Sequence, residues 1–308
     1  MTSAVEDSEL FMDRASACLL GLAVGDAVGA AVEFLPRGRF RPLTDMTGGG
    51  KFRVAKGEWT DDTAMALCLA DSLIACQGFD PLDQMQRYCR WVNEGYNATR
   101  PEAFGIGKTV LEAGLSFQVS GNPYSGRSEV RFSGNGSLMR IAPIAIAYAN
   151  QPEEAWRYAA LSSRVTHAAP ACVQACQYVT QVLMRAWGGV DKATMLDASG
   201  LPPLDSLSEV LSGDFKRKTA DEVRGSGYVI ASLEAALWAF WHTDSFRDAI
   251  LAAANLGDDA DTTAAICGQI AGAHYGLAAI PPEWLAVLHW REHIEQVARR
   301  LGALALQG

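Results

Sequence analysis

Eleven segments of this 308-residue chain carry apolar residues at helical spacing, and hardly any segment alternates apolar and polar residues with period two. That imbalance predicts an all-α architecture, since almost nothing is left from which to build a sheet. The helical segments are 10–34, 61–76, 82–93, 106–117, 142–149, 152–166, 171–187, 228–241, 245–254, 262–275 and 282–301. Punctuation rich in glycine, proline and serine falls at 48–50, 121–133, 200–213 and 225–227. The stretch 188–227 is the one candidate linker, but the helices on either side read as parts of one core. A single compact domain over 1–308 is therefore expected, with 1–9 as a flexible N-terminal tail.

Glycine recurs every fourth residue in two of these helices, as Gly21, Gly25 and Gly29 and as Gly268, Gly272 and Gly276. Each mid-helix glycine costs about 1 kcal/mol relative to alanine, so each stripe needs a reason. Close approach of two backbones is the plain one; a face without side chains would also leave room for ions or ligand. Asp26 interrupts the first apolar run, and Glu33 lies seven residues on, which predicts both on one helix face.

Two acidic clusters stand at expected helix starts nearly two hundred positions apart: Thr60-Asp61-Asp62-Thr63 and Asp258-Asp259-Ala260-Asp261-Thr262-Thr263. Helix capping is the ordinary use of such residues. Capping needs one side-chain oxygen, however, and stacked carboxylates repel one another without a counter-charge. Carboxylates mixed with hydroxyls, and no nitrogen or sulfur ligand type, suit hard divalent cations. Gly57 and Gly257 lie just upstream and give backbone freedom to wrap an ion.

Net charge is −9, from 26 Lys and Arg against 35 Asp and Glu, which disfavours nonspecific binding to nucleic acid or anionic membrane. The acidic N-terminus lacks a signal peptide's basic start, and the apolar run at 15–25 is too short to span a bilayer. Seven cysteines without a CxxC pair read as reduced core residues of a cytoplasmic protein. His289-x-x-Glu292-His293 matches an inverted zinc-protease pattern but has no third ligand motif. Gly107-Lys108-Thr109 looks like the end of a phosphate-binding loop, yet Glu102 stands where the first glycine is required.

Taken in order, several motifs resemble those of the ADP-ribosylglycohydrolase family. They are Gly21-Leu-Ala-Val-Gly-Asp26-Ala-Val-Gly-Ala-Ala-Val-Glu33-Phe34, Gly57-Glu-Trp-Thr60-Asp61-Asp62-Thr63, Gly134-Asn-Gly-Ser137-Leu-Met-Arg140, Thr166-His167 and Gly257-Asp-Asp259-Ala-Asp261-Thr262. The resemblance implies an all-helical domain whose cleft holds two Mg²⁺, with Mn²⁺ as an alternative, ligated by Thr60, Asp61, Asp62, Asp259, Asp261 and Thr262. It implies a catalytic or metal-gating Glu33, and a diphosphate loop of Asn135, Gly136 and Ser137. His167 would contact the nucleotide, Tyr228 would stand near the adenosine half, and Gly105 and Gly107 would line the ligand wall.

The implied activity is hydrolysis of the glycosidic bond at the distal ribose of an ADP-ribosyl group on a protein or small molecule. Glu33 would be the general acid or base, with Asp26 or Asp258 as alternatives for the acid. A monomer acting away from membranes is expected, with nucleic acid a partner only as an ADP-ribosylated acceptor. Two departures bear on the acceptor. Arginine-type bacterial members carry an aspartate where this chain has Gly105, so arginine is not assured, and Asp258 replaces a usual glycine. A non-catalytic ADP-ribose-binding protein and a phosphohydrolase acting on the diphosphate are the competing readings.

Overall fold

The structure, a computed structural model, describes residues 8–307. The helices are α1 (Ser8–Gly29), α2 (Asp61–Cys76), α3 (Pro81–Glu94), α4 (Lys108–Ser120), α5 (Ala142–Ala147), α6 (Pro152–Arg164) and α7 (Pro170–Ala186). They continue with α8 (Lys192–Leu196), α9 (Ser208–Leu211), α10 (Val229–Trp241), α11 (Phe246–Ala254), α12 (Ala260–Tyr275), α13 (Pro282–Val287) and α14 (Arg291–Gln307). Among the described residues only isolated β-bridges occur, and no sheet forms. The expected N-terminal tail is cut short, because Ser8 and Glu9 already belong to α1; residues 1–7 lie outside the described residues.

The central pair is α1 and α12, antiparallel and packed more extensively than any other two helices. The glycine stripes face each other across that pair. A Cβ at Gly21 would run into the Gly268 carbonyl, one at Gly25 into that of Ala264, and one at Gly272 into that of Ala17. Close approach is thus the reason for the stripes within the two helices, where they leave no room for ions, while Gly276 ends α12 at φ 80° against the Asp13 side chain. Arg14 seals the far end of the pair by donating to the carbonyls of Ala273 at 2.7 Å and His274 at 2.6 Å, acceptors that a helix end leaves without intrahelical partners.

Two expected helices depart most from what the apolar spacing indicated. The first stops at Gly29 rather than 34, because the start of α12 packs against it and draws the next residues away: the Phe34 N–H donates to Asp258 O at 2.6 Å, and Asp258 N–H to Leu35 O at 2.9 Å. Glu33 therefore stands in a turn, not on the helical face of Asp26. The segment expected at 282–301 breaks into α13 and α14 at Trp290, which has φ 57°. There the chain pairs with the entry to α2 instead: His289 N–H donates to Gly57 O at 2.9 Å and Trp59 Nε1–H to His289 O at 3.0 Å. The candidate linker at 188–227 lies on the core, burying Met195, Leu207, Val210 and Phe215.

Candidate active site

The two acidic clusters, two hundred residues apart, meet at the floor of one cleft. Its volume is about 470 Å³, and its lining includes Glu33, Asp61, Asp259, Asp261 and Thr262. Side-chain oxygens of Asp26, Asp62 and Asp261 lie within 4.8 Å of one another, as do those of Glu33, Asp259 and Asp261. Thr60 Oγ1 is 3.4 Å from both Asp62 Oδ2 and Asp261 Oδ2, and Thr262 Oγ1 is 3.4 Å from Asp62 Oδ2.

Neither cluster spends its oxygens on capping. Thr60 and Asp259 are the N-caps of α2 and α12, and neither side chain accepts a cap hydrogen bond. The first turn of α2 is satisfied from α1 instead. Asp26, fully buried, accepts from Thr60 N–H (2.9 and 3.0 Å), Thr60 Oγ1 (2.9 Å), Thr63 N–H (3.0 Å) and Thr63 Oγ1 (2.6 Å). This borrowed cap frees Thr60, Asp61 and Asp62 for other partners. It also commits both Asp26 oxygens to the first turn of α2, beside the carboxylates of Asp62 and Asp261.

What remains is a buried concentration of negative charge. Burial pushes the Glu33 carboxyl up to about 8, reinforced by Asp259 and Asp26. Burial likewise raises Asp61, Asp62 and Asp261 well above the usual carboxylate range, with mutual repulsion adding to it. Asp259 is raised by burial although Asn135 donates to it at 2.6 Å. Glu33 Oε2, Asp62 Oδ1 and Asp261 Oδ1 are buried without any hydrogen-bond partner. Unpartnered carboxylate oxygens converging from three chain segments have the donor chemistry of a hard divalent cation, and such an ion would relieve the repulsion that raises these groups.

The opposite wall is built from α4 and the 134–137 turn. Gly105, Gly107, Lys108, Thr109 and Val110 bring the N-terminus of α4 to the cleft, facing Gly134, Asn135, Gly136 and His167. Free N–H groups at a helix start favour anions. His167 is neutral, its imidazole pushed down to about 3 by burial and then by Arg140. Arg140 donates to Thr166 Oγ1 at 2.7 Å, and Thr166 Oγ1 lies 2.8 Å from His167 Nδ1. Thr166 Oγ1 and Nδ1 share this hydrogen bond, and Nε2 is the ring nitrogen that faces Gly134 and Gly136.

Two expected residues, Ser137 and Tyr228, stand next to the cleft lining and not on it. Ser137 turns into the core, where its hydroxyl shares a 2.8 Å hydrogen bond with Ser163 Oγ. Tyr228 caps α10, is 47% exposed and forms a β-bridge with Gly134, and its neighbours Ser226 and Gly227 line the cleft. Asn135 does line the cleft, but its amide holds Asp259 and Ser232. Sequence reasoning gave no site role to Thr63, which anchors Asp26, nor to Met139, and set aside Lys108 and Thr109 as an incomplete phosphate-binding loop although both are on the lining. The glycine-rich start of α4 was the one visible signal for the lysine and threonine. The zinc-like His289 and His293 flank the break between α13 and α14 and join no ligand group among the described residues.

A family model described as ADP-ribosylglycohydrolase matches residues 7–308. The chain is 43% identical over 297 residues to the ADP-ribosylarginine hydrolase Tri1 of Pseudomonas putida (strain GB-1), covering 95% of this chain and 79% of that protein. It is 33% identical over 304 residues to the ADP-ribosyl-(dinitrogen reductase) glycohydrolase of Rhodospirillum rubrum, covering 96% and 97%. A solved structure described as an ADP-ribosylglycohydrolase-related protein complex shares the fold with a TM-score of 0.85 at 40% identity, covering 96% of this chain and 99% of its own.

Proposed function

Because this chain belongs to the ADP-ribosylglycohydrolase family and is a glycohydrolase enzyme, we propose that it releases ADP-ribose from arginine side chains with the help of two divalent cations, Mg²⁺ or Mn²⁺. The observation that carries the proposal is the convergence of two uncapped acidic clusters, with orphaned buried oxygens, on the floor of one cleft. Thr60, Asp61, Asp62, Asp259, Asp261 and Thr262 would hold the ions, and Asn135 would orient Asp259. Ions bound there supply positive charge to the hydroxyls of the distal ribose.

Glu33, on the cleft wall with an unpartnered oxygen, takes the proton of the attacking water. The water oxygen bonds to the anomeric carbon as the bond from that carbon to the guanidine nitrogen breaks. The guanidine leaves neutral and takes the proton held by Glu33, which returns the carboxylate and gives the cation that arginine prefers at neutral pH. The N-terminus of α4 and the glycines at 134 and 136 receive the diphosphate, and the protonated Nε2 of His167 donates on the nucleotide side. Asp26 positions the ligands without touching the sugar. The arginine acceptor rests on the named activity of relatives such as Tri1 and on the acidity of the cleft. One apolar core takes side chains from Phe11 to Ala305, which favours a single domain.

Mass spectrometry of the product from an ADP-ribosylated arginine peptide tests the reading. Intact ADP-ribose, lost in EDTA and restored by Mg²⁺ or Mn²⁺, is expected. AMP would instead identify a phosphohydrolase, and full activity in EDTA would remove the cations from the mechanism.

A further inference from the structure

Asp61 and Asp258 line the cleft outside both groups of converging oxygens, and among the described residues no side chain pairs with Asp258. Its backbone adopts φ 55°, in the left-handed region that few non-glycine residues occupy. Phe34 beside it has φ 63°, a conformation rarer still for a bulky side chain. The two are locked together by the hydrogen bonds between Phe34, Leu35 and Asp258 and by the bridge from Pro36 to Gly257. Two strained residues are thus held side by side at the mouth of the cleft, and the phenylalanine ring is 52% exposed there. Burial does not explain either conformation.

The ring already attracts a cation. Lys51 Nζ sits 4.3 Å from the centroid of Phe34, and Arg100 stacks 4.4 Å from Phe104 at the far end of the row formed by Phe34, Phe52 and Phe104. A cation-binding aromatic face lining the same cleft as an unpaired carboxylate is the pair of groups that a planar guanidinium satisfies at once, by stacking and by charge-assisted hydrogen bonds. We propose that Phe34 and Asp258 form the acceptor subsite, which receives the guanidinium of the modified arginine, with Lys51 as the mobile side chain that leaves the ring when the acceptor enters. This assignment rests on the ADP-ribosyl hydrolase reading above and names the part of the site that would choose the acceptor.

The test pairs turnover with binding. Asp258→Asn keeps a residue that tolerates the left-handed backbone, and Phe34→Leu keeps an apolar side chain without a π face. On an ADP-ribosylated arginine peptide, Asp258→Asn should raise KM about tenfold and Phe34→Leu about threefold, with little change in kcat. ADP-ribose affinity by calorimetry should stay at the wild-type value in both. Independently of turnover, N-acetylarginine methylamide should bind the ADP-ribose-loaded wild type more tightly than its citrulline counterpart, a neutral isostere, and the preference should vanish in Asp258→Asn. Equal binding of the two amides to wild type, or an unchanged KM in both variants, overturns the subsite. A wild type that prefers the arginine amide yet releases no ADP-ribose upholds the subsite and overturns the hydrolase reading instead.

Discussion

Asp26 on the first helix accepts both the hydroxyl of Thr63, at 2.6 Å, and its N–H, at 3.0 Å, so the helix that carries one acidic cluster is capped by a residue from another. The arrangement separates two duties that a lone N-cap would combine. Asp26 satisfies the backbone, and Thr60, Asp61 and Asp62 are left with oxygens to share.

Replacing that acceptor with an amide tests the separation. Asp26→Asn would turn an NH₂ group toward donors that need an acceptor. Loss of about 1–3 kcal/mol is expected for a buried donor left unsatisfied, read by urea denaturation in EDTA. Divalent-cation affinity should fall as well, because the helix start that presents Asp61 and Asp62 loosens. Unchanged stability together with unchanged affinity would refute a positioning role.

Asp261→Asn should separate activity from stability. Without cations the variant should melt at or above the wild-type temperature, since it removes one of several mutually repelling buried carboxylates. Wild type should gain about 2.7 kcal/mol from a cation at a hundred times its Kd, and the variant should gain far less. Scanning calorimetry with EDTA and with Mg²⁺ decides, and a variant stabilised by Mg²⁺ as strongly as wild type would show that Asp261 is no ligand.

The facing glycines make an unusual forecast. Gly→Ala inside a helix is worth about 1 kcal/mol of added stability by propensity alone. At Gly25 the added methyl would strike the backbone at Ala264 and Ala265, and overpacking of this kind costs about 1–3 kcal/mol. Gly25→Ala should therefore destabilise in chemical denaturation and should also weaken cation binding, because α12 carries Asp261. A more stable variant would mean that the helices can part without cost.

Acid should release a second anchor near the same entry. Burial pushes the Glu58 carboxyl up, but Arg100 at 2.7 Å, the Ala55 N–H and the Thr99 hydroxyl outweigh it and hold the group down at about 2. A carboxyl held below its ordinary 4.5 contributes stability that is fully present above that value and is lost as pH falls toward 2. Glu58→Gln should flatten stability against pH across this window while lowering it at pH 7. An acid limb identical to wild type would rule out the pair as its source.

Much of the floor was legible because its signals are local. The start of α2 at Asp61 follows from a polar pair before an apolar run, and the stripes at Gly21 and Gly268 foretold a close helix pair. What stayed hidden depends on remote partners. The stop of α1 before Glu33 is imposed by Asp258, and the break at Trp290 by Gly57 and Trp59. Ser137 looked like ligand chemistry because nothing near it in sequence reveals Ser163. At Gly105, φ is 75° and an added Cβ would crowd Asp61 Oδ1. The glycine serves backbone geometry there, and its lack of an acid says nothing by itself about the acceptor.

Where α1 meets α12 the contact is main chain on main chain, so neither partner has side chains with which to adjust. Such a joint can be kept or broken but not tuned. Substitutions that alter the choice of acceptor are therefore expected at the rim, where Phe34, Ser226 and Asp258 line the cleft, and not at the joint beneath the floor.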